Sequence, residues 1–175
     1  MKRRFTILTA ALALLTFLAV PMGMQGQTRA DQTAKWTATS GGLGTGIGSG
    51  TITDNGNFSW SYTRTLISGT SYTGWTNNCI QLGKNGGVEN LTLTTSAIPG
   101  IIKSVAVECS SYNAAHKVSI TVGEVTYLAS TATSSWTTVG TATGTGTSSG
   151  TITIAFTDGT RALYIKSITV VYDNS

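Results

Sequence analysis

The chain has 175 residues and few charged ones, eleven basic against seven acidic, with one histidine and two cysteines. Four of the eleven basic residues (Lys2, Arg3, Arg4, Arg29) precede Asp31, whereas all seven acidic residues lie at or after it, so the remainder carries seven of each and no net formal charge. That balance excludes the basic footprint of a nucleic-acid binder or of a protein held to an anionic membrane surface, and a lone histidine with two distant cysteines lacks the ligand spacing of a zinc site.

The chain opens MKRRFTILTAALALLTFLAVPMGMQGQTRADQ, three basic residues followed by an apolar run from Phe5 to Val20 and then small residues. This is the layout of a secretory signal peptide, expected to occupy residues 1–30 with cleavage after Gly26 or Ala30. As a membrane anchor the run is barely long enough for a hydrocarbon core of about 30 Å, and Thr6, Thr9 and Thr16 interrupt it. Arg3 and Arg4 raise a twin-arginine export route, but the strongly apolar core fits general secretion better. No cysteine follows directly as a lipid attachment point. The expected location is secreted or cell-surface, or periplasmic if a diderm bacterium retains the protein. Residues 31–175, about 145 of them, suit one domain with its own core.

From residue 31 onward no stretch carries a helical period, while short alternating runs bounded by glycine or asparagine recur. The pattern predicts strands over 34–38, 50–54, 57–63, 78–82, 88–94, 102–109, 117–122, 124–128, 136–140, 150–157 and 162–172. Phe58, Trp60 and Tyr62 alternate with Ser59, Ser61 and Thr63, so they share a face that is expected to be core. Val118, Ile120 and Val122, and likewise Ile152, Ile154 and Phe156, alternate with polar or small residues, giving each strand one buried and one wet face. Tyr164 and Tyr172 fall in a long apolar strand and are expected to join the core. The segments SGGLGTGIGSGT (40–51) and GTATGTGTSSGT (140–151) read as loops or weakly packed edge strands. IKSVAVEC (102–109) and IKSITVVY (165–172) repeat Ile-Lys-Ser, and in both the apolar phase shifts directly afterwards, as a β-bulge at Lys-Ser would cause. The fold class expected is all-β, a two-sheet antiparallel β-sandwich of jelly-roll type.

The order of a Trp-bearing first strand, NCIQLGKNGGVENLTL, IKSVAVE, VSITVG, WTTVG and a terminal ALYIKSITVVY resembles a jelly-roll β-sandwich domain of secreted bacterial proteins, especially of the Bacteroidetes type. That domain is similar to carbohydrate-binding modules. The resemblance covers most of residues 34–172 and its motifs are structural. It implies a sandwich that binds a glycan or cell-surface polymer, with no catalytic residues carried over.

The residues themselves offer little chemistry. His116 lacks a nucleophile-elbow pattern such as Gly-x-Ser-x-Gly and reads as a solvated loop residue. A glycosidase would need two carboxylates about 5 to 10 Å apart across a cleft. Glu108 and Glu124 lie on or beside strands, but Glu108 points outward from the Val107/Cys109 alternation, and no two carboxylates share a strand face at short spacing. TDNGN (53–57) and TDGT (157–160) have calcium-type oxygens, yet Asx and glycine turns already explain them; no cofactor is expected, structural calcium being weakly supported. NFS at 57 and NLT at 90 match the N-glycosylation sequon, which matters only in a eukaryotic secretory route. Cys79 and Cys109 are a candidate disulfide in an oxidising compartment. Against pairing, Cys109 is in phase with Val105 and Val107 whereas Cys79 is out of phase with Ile80 and Leu82, so bridge and free thiols both stay open.

Recognition is left to aromatic residues among Ser, Thr, Gly and Asn: Tyr72, Trp75 and Asn77 in SYTGWTNNC, Tyr112 and Asn113 in SSYNAA, and Trp136. A flat ring beside amides and hydroxyls offers stacking plus oriented hydrogen bonds, as a sugar face requires. These six are the candidate ligand-binding residues, and Cys79 at the end of the first stretch is read as part of a strand. The expected role is non-catalytic carbohydrate binding. A structural or adhesive protein pairing through its sheet edges is the alternative, and a small glycan hydrolase a third.

Overall fold

A computed structural model of the chain describes residues 30–53, 58–84 and 87–173. The expected export signal lies outside the described residues except for Ala30. So do residues 54–57 of the first calcium candidate, including the sequon residue Asn57.

Among the described residues the regular elements are strands and one 3₁₀ turn: β1 (Gln32–Thr37), β2 (Gly48–Thr53), β3 (Ser59–Ser68), β4 (Thr73–Thr76), β5 (Cys79–Leu82), β6 (Val88–Thr95), β7 (Ile98–Ser111), the turn Tyr112–Ala114, β8 (Lys117–Val122), β9 (Val125–Ala132), β10 (Ser134–Ser135), β11 (Gly140–Gly150), β12 (Ile152–Thr157) and β13 (Leu163–Tyr172). They form two sheets. The first runs β10–β7–β13–β5–β4, with β1 also beside β13 and β11 also beside β7; the second runs β2–β3–β6–β12–β8–β9. Pairing is antiparallel except for the two-residue β10 against β7. The expected all-β, two-sheet antiparallel sandwich is the fold.

Alternation fills the core. Val118, Ile120, Val122, Ile152, Ile154 and Phe156 are fully buried and meet Val105, Val107, Ile165 and Ile168 of the first sheet. Each such side chain is worth about 1.5–3 kcal/mol of burial. Trp60 is buried, Tyr62 packs on the core, and Phe58 sets its edge against Tyr172 at 5.4 Å between ring centres.

The Ile-Lys-Ser echo is a pair of bulges on one strand pair. Ile165 faces Cys109 and Ser167 faces Glu108, which leaves Lys166 as the extra residue of β13; Val171 faces Ser104 and Tyr172 faces Ile102, which leaves Lys103 as the extra residue of β7. Each bulged lysine turns outward onto a carboxylate, Lys166 to Glu108 at 3.0 Å and Lys103 to Asp31. The bulge also resets phase. Ile165 points into the core on one side of it and Ile168 on the other, so Tyr164 projects from the outer face rather than joining the core as expected.

Two segments depart from the sequence reading, and a third takes the edge-strand alternative. Trp75 lies on a strand, β4, joined to β5 by the two-residue turn Asn77-Asn78, whose φ values of 50° and 58° are those of a type I′ hairpin turn. Asn78 is therefore a turn residue. WTTVG (136–140) is a turn leading to β11, not a strand. The Gly/Thr segment 140–151 is almost wholly a long edge strand against β7. Its glycines make room for Tyr127 of β9: a Cβ at Gly144 or Gly146 would come within 2.8 or 2.5 Å of that residue. The Tyr127 hydroxyl donates to the Ile102 carbonyl and accepts from the Ser148 N–H, linking the edge of the second sheet to the first.

Candidate functional site

Register places a row of residues side by side on the outer face of the first sheet, Gly74–Gln81–Tyr164–Ser110 across β4, β5, β13 and β7. One step further along, backbone hydrogen bonds from Gly83 to Tyr72 (3.0 Å) and from Tyr112 to Ala162 (2.9 Å) extend the alignment to Tyr72, Gly83, Ala162 and Tyr112. Two tyrosines thus flank two residues with almost no side chain. At about 4.8 Å per strand, three spacings separate the walls by about 14 Å. At the Tyr112 end of this row lies a shallow cavity of about 190 Å³ bordered by Tyr112, Tyr164, Gln81, Lys84, Arg161 and Ala162.

Each wall has its own support. Trp136, in the turn after β10, stacks on Tyr112 with ring centres 6.0 Å apart and planes 15° from parallel. Both rings remain about two-fifths exposed. Lys84 places its ammonium 5.1 Å from the centre of the Tyr72 ring, and that ring lies over Gly74, where a Cβ would sit 2.6 Å from the hydroxyl. Between the walls, burial pushes the Tyr164 phenol upward, with the Tyr112 and Tyr72 phenols close enough to add to the effect. It therefore stays a neutral hydrogen-bonding group at ordinary pH.

Two buried polar groups hold the loops from beneath. Arg64 of β3 and Glu89 of β6 are an ion pair with fully buried side chains, 2.7 Å apart. Arg64 also donates to the carbonyls of Leu43 and Gly44 (both 3.1 Å) and to Thr73 Oγ1 (2.7 Å). Glu89 accepts from Ser71 Oγ and from the Tyr72 N–H, each at 2.9 Å. This pair belongs to the second sheet and fixes the segment that carries Tyr72 on the first.

His116 does the corresponding task on the other side. It is fully buried, not solvated as its sequence context suggested. Its Nε2 lies 2.8 Å from the Arg161 carbonyl, which can only accept, so Nε2 carries the proton and Nδ1 is a buried lone pair without a hydrogen-bond partner. Burial holds its pKa below 6.5, partly offset by that bond. Gly159 lies against the ring: a Cβ there would meet Cε1 at 2.2 Å. The imidazole therefore anchors the 158–162 loop, which presents Arg161 and Ala162 to the cavity.

Of the six candidate residues, Tyr112 borders the cavity, Trp136 stacks on the Tyr112 ring outside its lining, and Tyr72 touches it only through Lys84, whose ammonium lies over the Tyr72 ring. Asn113 follows Tyr112 as an exposed residue with φ 57°, inside the 3₁₀ turn. Trp75 and Asn77 do not join them. Trp75 is opposite Ile80, which is opposite the core residue Ile165, so its register is that of the other sheet face, while Asn77 forms the hairpin turn. Gln81, Lys84, Arg161 and Tyr164 are groove residues the sequence reading missed. The phase of Tyr164 against Ile165 across the Lys-Ser bulge was the available signal.

Other candidate chemistry is occupied elsewhere. Lys166 and Ser167 both bond Glu108; Ser167 first and then Lys166 keep its pKa below the usual carboxylate range. Cys79 and Cys109 are buried free thiols. β13 lies between their strands, about two strand spacings, which exceeds the roughly 7 Å reach of a bridge. Burial pushes both thiols up, Cys109 to about 12. A second cavity of about 200 Å³ between β9 and β11 is lined by Cys109, Leu128, Ala142 and several threonines. Among the described residues no cluster of His, Cys, Asp and Glu could hold a metal ion.

No family model and no curated protein matches the chain. Among solved structures, it is similar to a family two carbohydrate esterase from Cellvibrio japonicus (11% identity, TM-score 0.46), covering 82% of this chain and 35% of that one. It is also similar to an isomalto-dextranase from Arthrobacter globiformis T6 complexed with panose (14% identity, TM-score 0.34), covering 81% of this chain and 32% of that one. The chain thus spans about a third of the length of each.

Proposed function

We propose that this protein is an exported, non-catalytic carbohydrate-binding domain acting at or outside the cell surface, with the cavity beside Tyr112 and Tyr164 as its glycan site. The observation that carries this reading is the exposed Tyr112–Trp136 stack beside a cavity that Ala162 borders, with Gln81 and Tyr164 there to supply hydrogen bonds. A sugar ring is an apolar face rimmed by hydroxyls, and aromatic walls with amide and phenol partners complement both parts. The commitment of Glu89 and Glu108 to ion pairs favours binding over hydrolysis.

Glycan-array binding and polysaccharide affinity electrophoresis test the proposal. Tyr112→Ala is expected to weaken retention at least tenfold at unchanged thermal stability, while Trp75→Ala leaves retention intact. Equal retention of wild type and Tyr112→Ala, or dependence on Trp75 instead, would overturn the assignment of the site.

A further inference from the structure

The charges around the groove do not balance, although those of the domain do. Among the described residues four cations have carboxylate partners: Arg64 with Glu89, Lys103 with Asp31 and Asp173, Lys117 with Asp158, and Lys166 with Glu108. Lys35 acts electrostatically on Glu108. Lys84 and Arg161 remain, and both line the groove, where the Lys84 ammonium lies over the Tyr72 ring and the Arg161 backbone carbonyl accepts from His116. Among the described residues no carboxylate borders that cavity. Glu124, the described carboxylate without a cation, stands in the β8–β9 turn of the other sheet. The acids of a neutral domain are thus placed elsewhere, and two cations border a cavity that Tyr112, Tyr164 and Gln81 also line.

Such a site discriminates by charge. A neutral sugar gains stacking and neutral hydrogen bonds there. A sugar bearing a carboxylate or sulfate gains charge-assisted bonds as well, which are about twice as strong. The cavity, about 190 Å³, lies below the roughly 300–1,000 Å³ of pockets for drug-sized ligands, so it reads one ring rather than a long segment of chain.

We infer that the groove selects anionic glycans, its ligand's acidic group lying between Lys84 and Arg161 while its ring packs on Tyr112. This rests on the carbohydrate-binding reading and specifies its substrate class.

The test compares polygalacturonate with its methyl ester, which has the same backbone without the charge, alongside a sulfated polysaccharide, a neutral glucan and polyglutamate. Polygalacturonate is expected to bind at least tenfold more tightly than its ester, and the preference should weaken as salt rises. Lys84→Gln with Arg161→Gln should abolish the preference, each cation carrying about a tenfold effect, the weight of one charge-assisted hydrogen bond. Both side chains stand at the exposed rim, so the variants are expected to fold, which circular dichroism and thermal melting verify. If the sulfated polymer binds equally well, the site reads charge on a sugar rather than a carboxylate, and the inference stands. Tyr112-dependent binding with no preference for acid over ester overturns the inference and leaves the carbohydrate reading intact. Binding to no glycan overturns both. Retention on polyglutamate equal to that on polygalacturonate overturns the sugar component.

Discussion

Replacing Glu89 by alanine should reveal how far the sandwich depends on one buried ion pair. The Glu89 carboxylate accepts three hydrogen bonds, from Arg64 Nε (2.8 Å), Ser71 Oγ and the Tyr72 N–H, and lies 2.7 Å from Arg64 Nη2 in the ion pair. Its loss leaves the guanidinium of Arg64, a residue only 2% exposed, with carbonyl and hydroxyl acceptors but no counter-charge. Removing one partner of a buried pair typically costs about 3–5 kcal/mol. For a domain of this size that is a fall of about 10–20 °C in Tm. Because the same carboxylate holds Tyr72, glycan retention of the remaining folded protein should fall too. Urea unfolding followed by tryptophan fluorescence gives the free energy, and the double variant Arg64→Met with Glu89→Leu separates a stranded charge from lost packing. That apolar exchange is expected to recover most of the loss. A Glu89→Ala protein within about 1 kcal/mol of wild type, or a double variant no better than the single one, would refute the reasoning.

His116 sets a pH dependence. Its folded pKa lies below its ordinary 6.5, so the unfolded chain binds the proton more readily, and stability is full above about pH 6.5 and lost as pH falls through the folded value. His116→Gln should flatten that part of a Tm-against-pH profile; a slope of the same size in the variant would remove His116 as its source. Glu108, held below the usual carboxylate range, adds a loss of the same sign at lower pH that persists in the variant. Gly146→Val should destabilise by about 1–3 kcal/mol through overpacking on Tyr127, and by much less in a Tyr127→Ala background; equal costs in both would show that the clash is not the cause. Cys79 and Cys109, buried and with raised pKa values, should resist a thiol reagent in the native protein and react on unfolding. Rapid labelling of the folded chain would contradict their burial.

Strict alternation made most of the sandwich legible because period-two burial leaves its mark on every core strand. Val118, Ile120 and Val122 are one example, and the phase shift after each Ile-Lys-Ser located two bulges. β4 and β11 escaped that signal for opposite reasons. β4 is a short edge strand whose register is set by an Asn-Asn turn rather than by a hydrophobic face. β11 carries Gly and Thr where an alternating apolar set would normally stand, because Tyr127, from a different strand, fills the space above its glycines. A residue supplied by one strand cannot be read from the composition of another.

The groove was half legible for a related reason. An exposed ring in a polar stretch is visible in sequence, so Tyr72, Tyr112 and Trp136 could be named. Ala162 matters by being small, and it borders the cavity only because β5 and β13 bring Gln81 and Lys84 beside it. His116 was misread because nothing local marks the carbonyl of Arg161, 45 positions away, as its partner. Its buried ring and the Arg64–Glu89 pair both stem from the second sheet and end on loops of the first. The two sheets thus do more than share a core: one supplies the recognition surface, and the other fixes the loops that give it shape. A polar contact at either anchor should therefore alter stability and binding together, whereas Tyr112, Lys84 and Arg161, which face solvent, should alter binding alone.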